Sequence, residues 1–231
     1  MAQKSKKTSK NNGVNLKDTL LLKTLPHVAT HGFTEEALLA GARAAKIAPS
    51  AALGMFPDLP ADLIRHLADW ADRAMLAGYA KHSKGVKRVR DKVALGVRLR
   101  LEALTPYKDA VQAEVRELAK PWQVPLAAQL IYASCDAIWT AAGDTSDDYN
   151  YYTKRGLLAG VLTATTLRWL TDDSEDSAQT WAFLDRRIEN VLKIGQFTSK
   201  LKESPSGLAA SLASGLGQAA CKVREKVRTR A

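Results

Sequence analysis

The sequence predicts an all-α protein. Three observations predict it: almost every ordered stretch repeats apolar residues at helical spacing, no run alternates with the period of a strand, and caps and breakers punctuate the stretches at helical lengths. The 231 residues are 46% hydrophobic and 25% charged, enough for a core that needs no disulfide or metal staple.

Taken in order, residues 1–15 (MAQKSKKTSKNNGVN) are rich in Lys, Ser and Asn and are expected to form a disordered basic tail. From Leu16, the residues Leu20, Leu21, Thr24, Leu25 and Val28 share a helical stripe that ends near Gly32. Thr34 with Glu35 and Glu36 opens a second helix through Ala45, since a threonine caps and acids favour the first turn. A third, short helix follows Pro49-Ser50 and stops at Phe56-Pro57. Pro60 opens a fourth, with Leu63, Ile64, Leu67, Trp70, Ala74 and Met75 on one side.

A basic amphipathic helix is expected from Lys84 to Leu104, broken at Thr105-Pro106, with a further helix to Ala119 and a turn at KPWQVP. After Pro125 the stretch LAAQLIYASCDAIWTAAGD is apolar all round, which predicts a central core helix. The next long helix runs to Leu170 and ends in the acidic loop TDDSEDS, after which Ser177 caps AQTWAFLDRRIENVLKIG. Ser204-Pro205-Ser206-Gly207 is a hinge before a final segment.

A formal charge of +10 points to a polyanion, either nucleic acid or an anionic membrane surface. No apolar run is long enough to span a bilayer, and the first residues lack the core of a signal peptide and the arginine pattern of a mitochondrial leader. Cys135 and Cys221 fit no disulfide or zinc spacing, which suits a reducing compartment.

Few residues ask for chemistry. His27 and His31 are one helical turn apart, but the glutamate of a zinc-protease motif is absent, and Val28 stands in its place. Asp172, Asp173, Glu175 and Asp176 do not follow the oxygen ladder of a calcium loop, so a solvated turn before a helix is expected. No phosphate-cradling loop, Cys-x-x-Cys pair or nucleophile elbow occurs. No catalytic residue and no metal site is expected, and the protein is not expected to be an enzyme.

The stretch from Leu20 to Ile64, with Gly32 ending the first helix, AAKIA at the turn and Phe56 ending the third, resembles the three-helix DNA-binding module of TetR-type regulators. It departs where DNA would be read. Leu53 replaces a tyrosine that contacts the backbone, Leu59 and Pro60 occupy the region of a lysine, and Ser50 is the one polar side chain from Pro49 to Phe56. Base reading and phosphate anchoring need donors, acceptors and cations, so the module is degenerate. The apolar third helix is then expected to serve mostly as packing surface.

A second resemblance rests on HGFTEEALLAGARAA, GMFP and SDDYNYYTKRGLLAGVLTATTLRWLTDDSEDSAQTWAFLDRRI. Together they are similar to the ubiquinone-biosynthesis family known as the ninth Coq protein, in its bacterial members, from about Leu20 to Ile194. The resemblance implies a TetR-like fold that exchanged DNA binding for lipid binding. It also implies a homodimer, and an apolar pocket for a polyprenylated quinone intermediate or phospholipid. The partner implied is the di-iron demethoxyubiquinone hydroxylase, aided by a protein with no cofactor or chemistry of its own. The chain then divides into the tail at 1–15, a helix-turn-helix-like module at 16–59, a helical lipid-binding and dimerisation domain at 60–200, and the hinge and basic amphipathic helix at 201–231. A cytoplasmic protein, peripheral on the inner membrane of a bacterium, is expected. The alternative is a ligand-responsive repressor of the TetR type, although DNA is not the expected partner.

The resemblance places partner docking at Tyr151, which stands where a tryptophan is common, with Tyr152 and Arg155. The residues alone favour a core tyrosine and a solvated arginine; it is the resemblance that raises docking beside that reading. A lipid pocket is expected between Ile131, Cys135, Ile138 and Trp139 on one helix and Leu158, Val161, Leu162 and Thr165 on the next. Plain core is the other reading of these eight; the small neighbours Ala133, Ala137, Ala141, Gly156, Ala159 and Gly160 favour a cavity. Leu208, Leu212, Leu216 and Val223, with Lys222, Arg224, Lys226 and Arg228, would lie on an anionic membrane; a solvated tail is the alternative. The run Lys84, Lys87, Arg88, Arg90, Lys92, Arg98 and Arg100 reads either as a solvated helix face or as a second membrane-facing surface.

Overall fold

A computed structural model describes the backbone of residues 2–145 and 149–202, and the side chains of residues 16–145 and 151–191. The stripe Leu20, Leu21, Leu25 and Val28 is fully buried, and it fixes α1 (Ala2–His31) against α2 (Glu35–Ala45). The two helices meet without a gap at Gly41: a Cβ built there would stand 2.6 Å from the Thr24 Cα, so only glycine fits. The chain turns at Gly32, whose φ of +69° suits a residue without a side chain. The Thr34 hydroxyl then caps α2 by accepting from the Ala37 amide at 3.4 Å. Helix α1 is traced from Ala2, ahead of the expected start at Leu16.

Next comes α3 (Pro49–Met55), and Phe56 closes it as a buried ring. Helix α4 (Ala61–His82) carries Leu63, Ile64, Leu67, Ala71 and Met75 into the core, as its spacing predicts. Asp18 of α1 ties the two helices together: it accepts from both terminal nitrogens of Arg73, at 2.8 and 2.9 Å, and pairs with His66 at 2.9 Å.

The body continues with α5 (Val89–Leu104), α6 (Lys108–Leu118), α7 (Val124–Ala141), α8 (Tyr149–Leu170) and α9 (Ala178–Lys202). No strand occurs among the described residues. Helix α5 begins later than expected. Residues 83–88 form the corner after α4 instead, where Gly85 takes φ +94°. Thr105-Pro106 does break the helix there, through one 3-10 turn.

Helix α7 is not central. Only Leu126, Ser134, Cys135 and Ile138 are buried on it, while Trp122 just before it is 72% exposed and Val124 56%. Its neighbours α4, α5, α6 and α8 cover one side alone, so uniform apolar composition overstated its burial. One hydrophobic core runs from α1 through α9.

Helix directions place the parts. Arg98 of α5 lies over the Trp181 ring of α9 at 5.0 Å, and Arg90 approaches Glu189 at 3.9 Å, so α9 runs antiparallel to α5. Gly96 of α5 backs onto Ile138 of α7, close enough that a Cβ would stand 2.9 Å from it. The α4–α5 and α7–α8 corners therefore share the end of the bundle away from α1–α3.

Candidate functional site

Arg155, expected on a docking surface, is buried. Its side chain is 2% exposed and lies between two carboxylates: Nε donates to Asp136 at 2.7 Å and a terminal nitrogen donates to Asp144 at 3.1 Å. The same nitrogen donates to the Tyr151 carbonyl at 3.2 Å, and the guanidinium lies 3.3 Å from the centre of the Tyr151 ring. Burial alone would lower the pKa of Arg155, but Asp136 and Asp144 raise it on balance, so the side chain stays protonated.

Tyr151 is held in turn, its hydroxyl donating to Asp136 at 3.0 Å and its ring edge-on to Tyr152 with centroids 5.2 Å apart. Both tyrosines are half-buried. Lys154 bonds Asp144 at 2.7 Å, and its carbonyl accepts from the Trp139 indole at 3.1 Å. The arrangement is a polar clamp that fastens the start of α8 to the end of α7, with the tyrosine pair on its outer side.

Asp136 and Asp144, which complete the clamp, are residues that sequence reasoning missed. The signal was present: Asp136 is the one acid in LIYASCDAIWTAA, and a charge on an apolar helix needs a partner.

The expected pocket residues come together, but as packed core. Cys135, Ile138, Leu158, Val161, Leu162 and Thr165 are buried, with Ile131 and Trp139 half-buried beside them. The Thr165 hydroxyl turns back to the Val161 carbonyl at 2.7 Å. Burial pushes the Cys135 thiol up to about 12, which makes it inert. Of the small residues, Ala133, Gly156 and Gly160 face outward and do not line the buried side.

Beside Cys135 lies a polar cluster between helices. Asp72 of α4 accepts from Arg100 at 2.7 Å and from Ser134 at 2.9 Å. Burial raises the Glu114 carboxyl on α6 to about 7, and nearby Arg100 only partly offsets that. The Arg100 of the basic run is thus spent inside the bundle.

The acidic loop also differs from expectation. Asp172 is 4% exposed and caps α9, accepting from Ser174 and from the amide and hydroxyl of Thr180 at 2.7 and 2.5 Å. Those donors hold its carboxyl well below the usual range. Ser177, the expected cap, takes a positive φ, and the Asp172 carboxylate occupies the positive end of the helix in its place. No group of His, Cys, Asp and Glu suited to a metal occurs among the described residues, and His31 lies 3.2 Å from Glu36. Leu208, Leu212, Leu216, Lys222, Val223, Arg224, Lys226 and Arg228 lie outside the described residues.

Helix α3 packs on the core through Ala52 and the half-buried Leu53 and Met55, as expected, but along one side alone. Only Ala52 is buried on it, and Pro49, Ser50, Ala51 and Gly54 are exposed. Its outer face is bare because small side chains reach nothing. A cleft of about 450 Å³ lies beside it, lined by Phe33, Thr34, Glu35, Leu53, Phe56, Pro57, Leu59 and Pro60. Seven of these eight carry no charge, so the cleft itself offers no cation to a DNA phosphate.

Comparison with known proteins fits this division. The TetR transcriptional regulator of Nitrosomonas europaea superposes with a TM-score of 0.62 at 16% identity, over 77% of this chain and 98% of its own. One from Rhodococcus sp. RHA1 gives 0.57 at 15%, over 79% and 97%. At such identities the likeness establishes the fold alone. In sequence, the mitochondrial ubiquinone biosynthesis protein COQ9 of Bos taurus is 32% identical over 208 residues, and that of Rattus norvegicus 31% over 204. These alignments take in 85% and 84% of this chain, and 64% of each relative's own length. The COQ9 family model matches residues 124–195, from the first residue of α7 into α9, the stretch that holds the clamp and the expected pocket. The chain is a COQ9 homologue, with the COQ9 domain at residues 124–195 set on a TetR-regulator fold.

Proposed function

We propose that the protein serves ubiquinone biosynthesis as a non-enzymatic accessory. It binds a polyprenylated quinone intermediate at the membrane and presents it to the demethoxyubiquinone hydroxylase. The observation that carries this reading is the coincidence of the COQ9 match with α7–α9. The segment that the family model matches is the part of the molecule with the apolar α7–α8 seam, while the helix that would read DNA has no reading side chains.

Helices α7 and α8 part to admit the isoprenoid, since their facing side chains otherwise fill the seam. The residues 208–228 hold the protein to an anionic leaflet, in keeping with the absence of any helix among the described residues long and apolar enough to cross a membrane. The partner docks over the Tyr151–Tyr152 pair, where rigid aromatic area is available. The protein acts as a homodimer on the cytoplasmic side of a bacterial inner membrane.

Native mass spectrometry after mild purification, with extraction and identification of the bound apolar molecule, tests the reading. A prenylated quinone or phospholipid at fixed stoichiometry is expected. An empty protein from quinone-producing cells, together with tight, salt-dependent binding to a palindromic duplex, would establish the repressor alternative instead.

A further inference from the structure

The corner between α4 and α5 concentrates charge that the fold does not use. From Lys81 to Lys92 it holds six Lys and Arg residues against one acid, Asp91. Lys81, Lys84, Lys87, Arg88 and Arg90 are exposed, and Val89 among them is 53% exposed. Arg90 pairs with Asp91 at 3.1 Å and approaches Glu189 at 3.9 Å. No ion pair involves Lys81, Lys84, Lys87, Arg88 or Lys92 among the described residues. Like charges this dense repel one another, so the bare protein holds them at a cost that a polyanion would remove.

Position decides which polyanion fits. By Glu189, α9 has reached the first turn of α5, and its backbone runs on to Lys202, about 20 Å further at 1.5 Å per residue. The segment from residue 203, with its leucines and basic end, is therefore attached at the corner's end of the bundle. The DNA-reading position, α3, lies at the other end of α4, a helix of 22 residues and so about 33 Å long. The corner also presents Val86 and Val89 between its cations. A valine offers nothing to phosphates or base edges, whereas a lipid interface takes cations at headgroup level and apolar groups just below it.

We propose that the α4–α5 corner, through Lys84, Lys87 and Arg88 with Val86 and Val89, is a second membrane contact that selects anionic lipid. It extends the membrane reading above but does not use residues 208–228. Two contacts at one end would fix the tilt of the bundle on the bilayer and leave α1–α3 pointing away from it.

The test uses the full chain and sedimented vesicles of phosphatidylcholine, alone or mixed with phosphatidylglycerol, at low and high salt. The variant Lys84→Gln/Lys87→Gln/Arg88→Gln alters exposed side chains only, and an unchanged thermal midpoint confirms that it folds. Each basic residue near an anionic surface contributes about 1 kcal/mol, so partition onto mixed vesicles is expected to fall about 100-fold. Partition onto phosphatidylcholine alone should not change, and added salt should shrink the difference.

Leu208→Glu/Leu212→Glu/Leu216→Glu probes the other contact, and its loss should be felt on both vesicle types. If the corner variant partitions like the parent on mixed vesicles, the proposal is overturned, while a loss in the leucine variant would still uphold the contact at 208–228. If only the corner variant weakens, the proposal stands and the role of residues 208–228 falls. Corner-dependent binding to a short DNA duplex as tight as to mixed vesicles would overturn the choice of lipid.

Discussion

At its N-terminal end, α4 meets α1, α2 and α3, held together by close backbone contact and ring packing, and α3 faces outward with Pro49, Ser50, Ala51 and Gly54. Near its C-terminal end lie cations without acidic partners, and at the neighbouring α7–α8 corner an arginine is locked between two carboxylates with two tyrosines beside it. The first end is built on shape, with few polar side chains on α3. The second keeps chemistry that the shape alone would not need. Steric fit therefore holds one end of this fold, while paired and unpaired charge marks the other.

The contrast is broken most directly at Arg155. Arg155→Met is expected to cost about 3 kcal/mol, because it leaves Asp144, 5% exposed, short of a partner. Lys154 still bonds Asp144, and Asp136 is 41% exposed, which keeps the loss at the low end for a broken buried pair. Urea unfolding measures it. Arg155→Lys should recover part of the stability but not the forked geometry, so hydroxylase binding should stay weaker than for the parent. A loss below 1 kcal/mol for the methionine variant would mean that the clamp is surface decoration, and the distinction between the two ends would lapse.

At the other pole, Gly41→Ala tests steric fit. A methyl group there would have to displace the α1 backbone around Thr24, and a loss of about 2–3 kcal/mol is expected by the same unfolding assay. Vesicle binding of the folded fraction should be unaffected. If it fell as well, the two ends would be coupled.

Between them, Glu114 sets a pH dependence. Its folded pKa, about 7, lies above the ordinary 4.5, so the native state binds the proton more tightly than the unfolded chain. Stability should fall as pH rises from 4.5 to 7. Glu114→Gln should remove that slope, gaining about 2 kcal/mol at pH 8 and almost nothing at pH 4. Thermal melts across that range check it.

How far the sequence disclosed all this depended on whether a residue's partner was local. The stripe on α1, the Thr34 cap and the Thr105-Pro106 break are local facts, settled by spacing and by covalent geometry, and each appears where expected. The burial of α7 was not legible, because composition says that a helix can be buried and not whether neighbours exist to cover it. Arg155 was placed on a surface for the same reason: Asp136 and Asp144 are 19 and 11 positions away, and only the α7–α8 turn brings them in. The burial of Asp172 is not legible in the sequence, because a cap and an exposed acid look alike until the helix start is known within a residue.

The smallest effect expected lies at Lys46, where the backbone takes a conformation that favours glycine. Lys46 closes α2 with φ +57° and ψ +38°, the left-handed region that costs a residue with a side chain about 1 kcal/mol relative to glycine. The turn it occupies, AAKIA, lies where the resembled TetR-type module has Ala-Ala-Gly-Val, with Lys46 at the glycine position. The backbone therefore still adopts a conformation made for glycine. Its amide and that of Ile47 still close the helix, on the carbonyls of Arg43 and Ala42 at 3.2 and 2.9 Å. Lys46→Gly should then stabilise the protein by up to about 1 kcal/mol, offset in part by the greater freedom of glycine in the unfolded chain. A rise of a few degrees in thermal midpoint would record a turn whose geometry has outlasted its residue. A fall would mean that the lysine stem packs on the module and has become part of its frame, and the N-terminal end would then be a site still being reshaped.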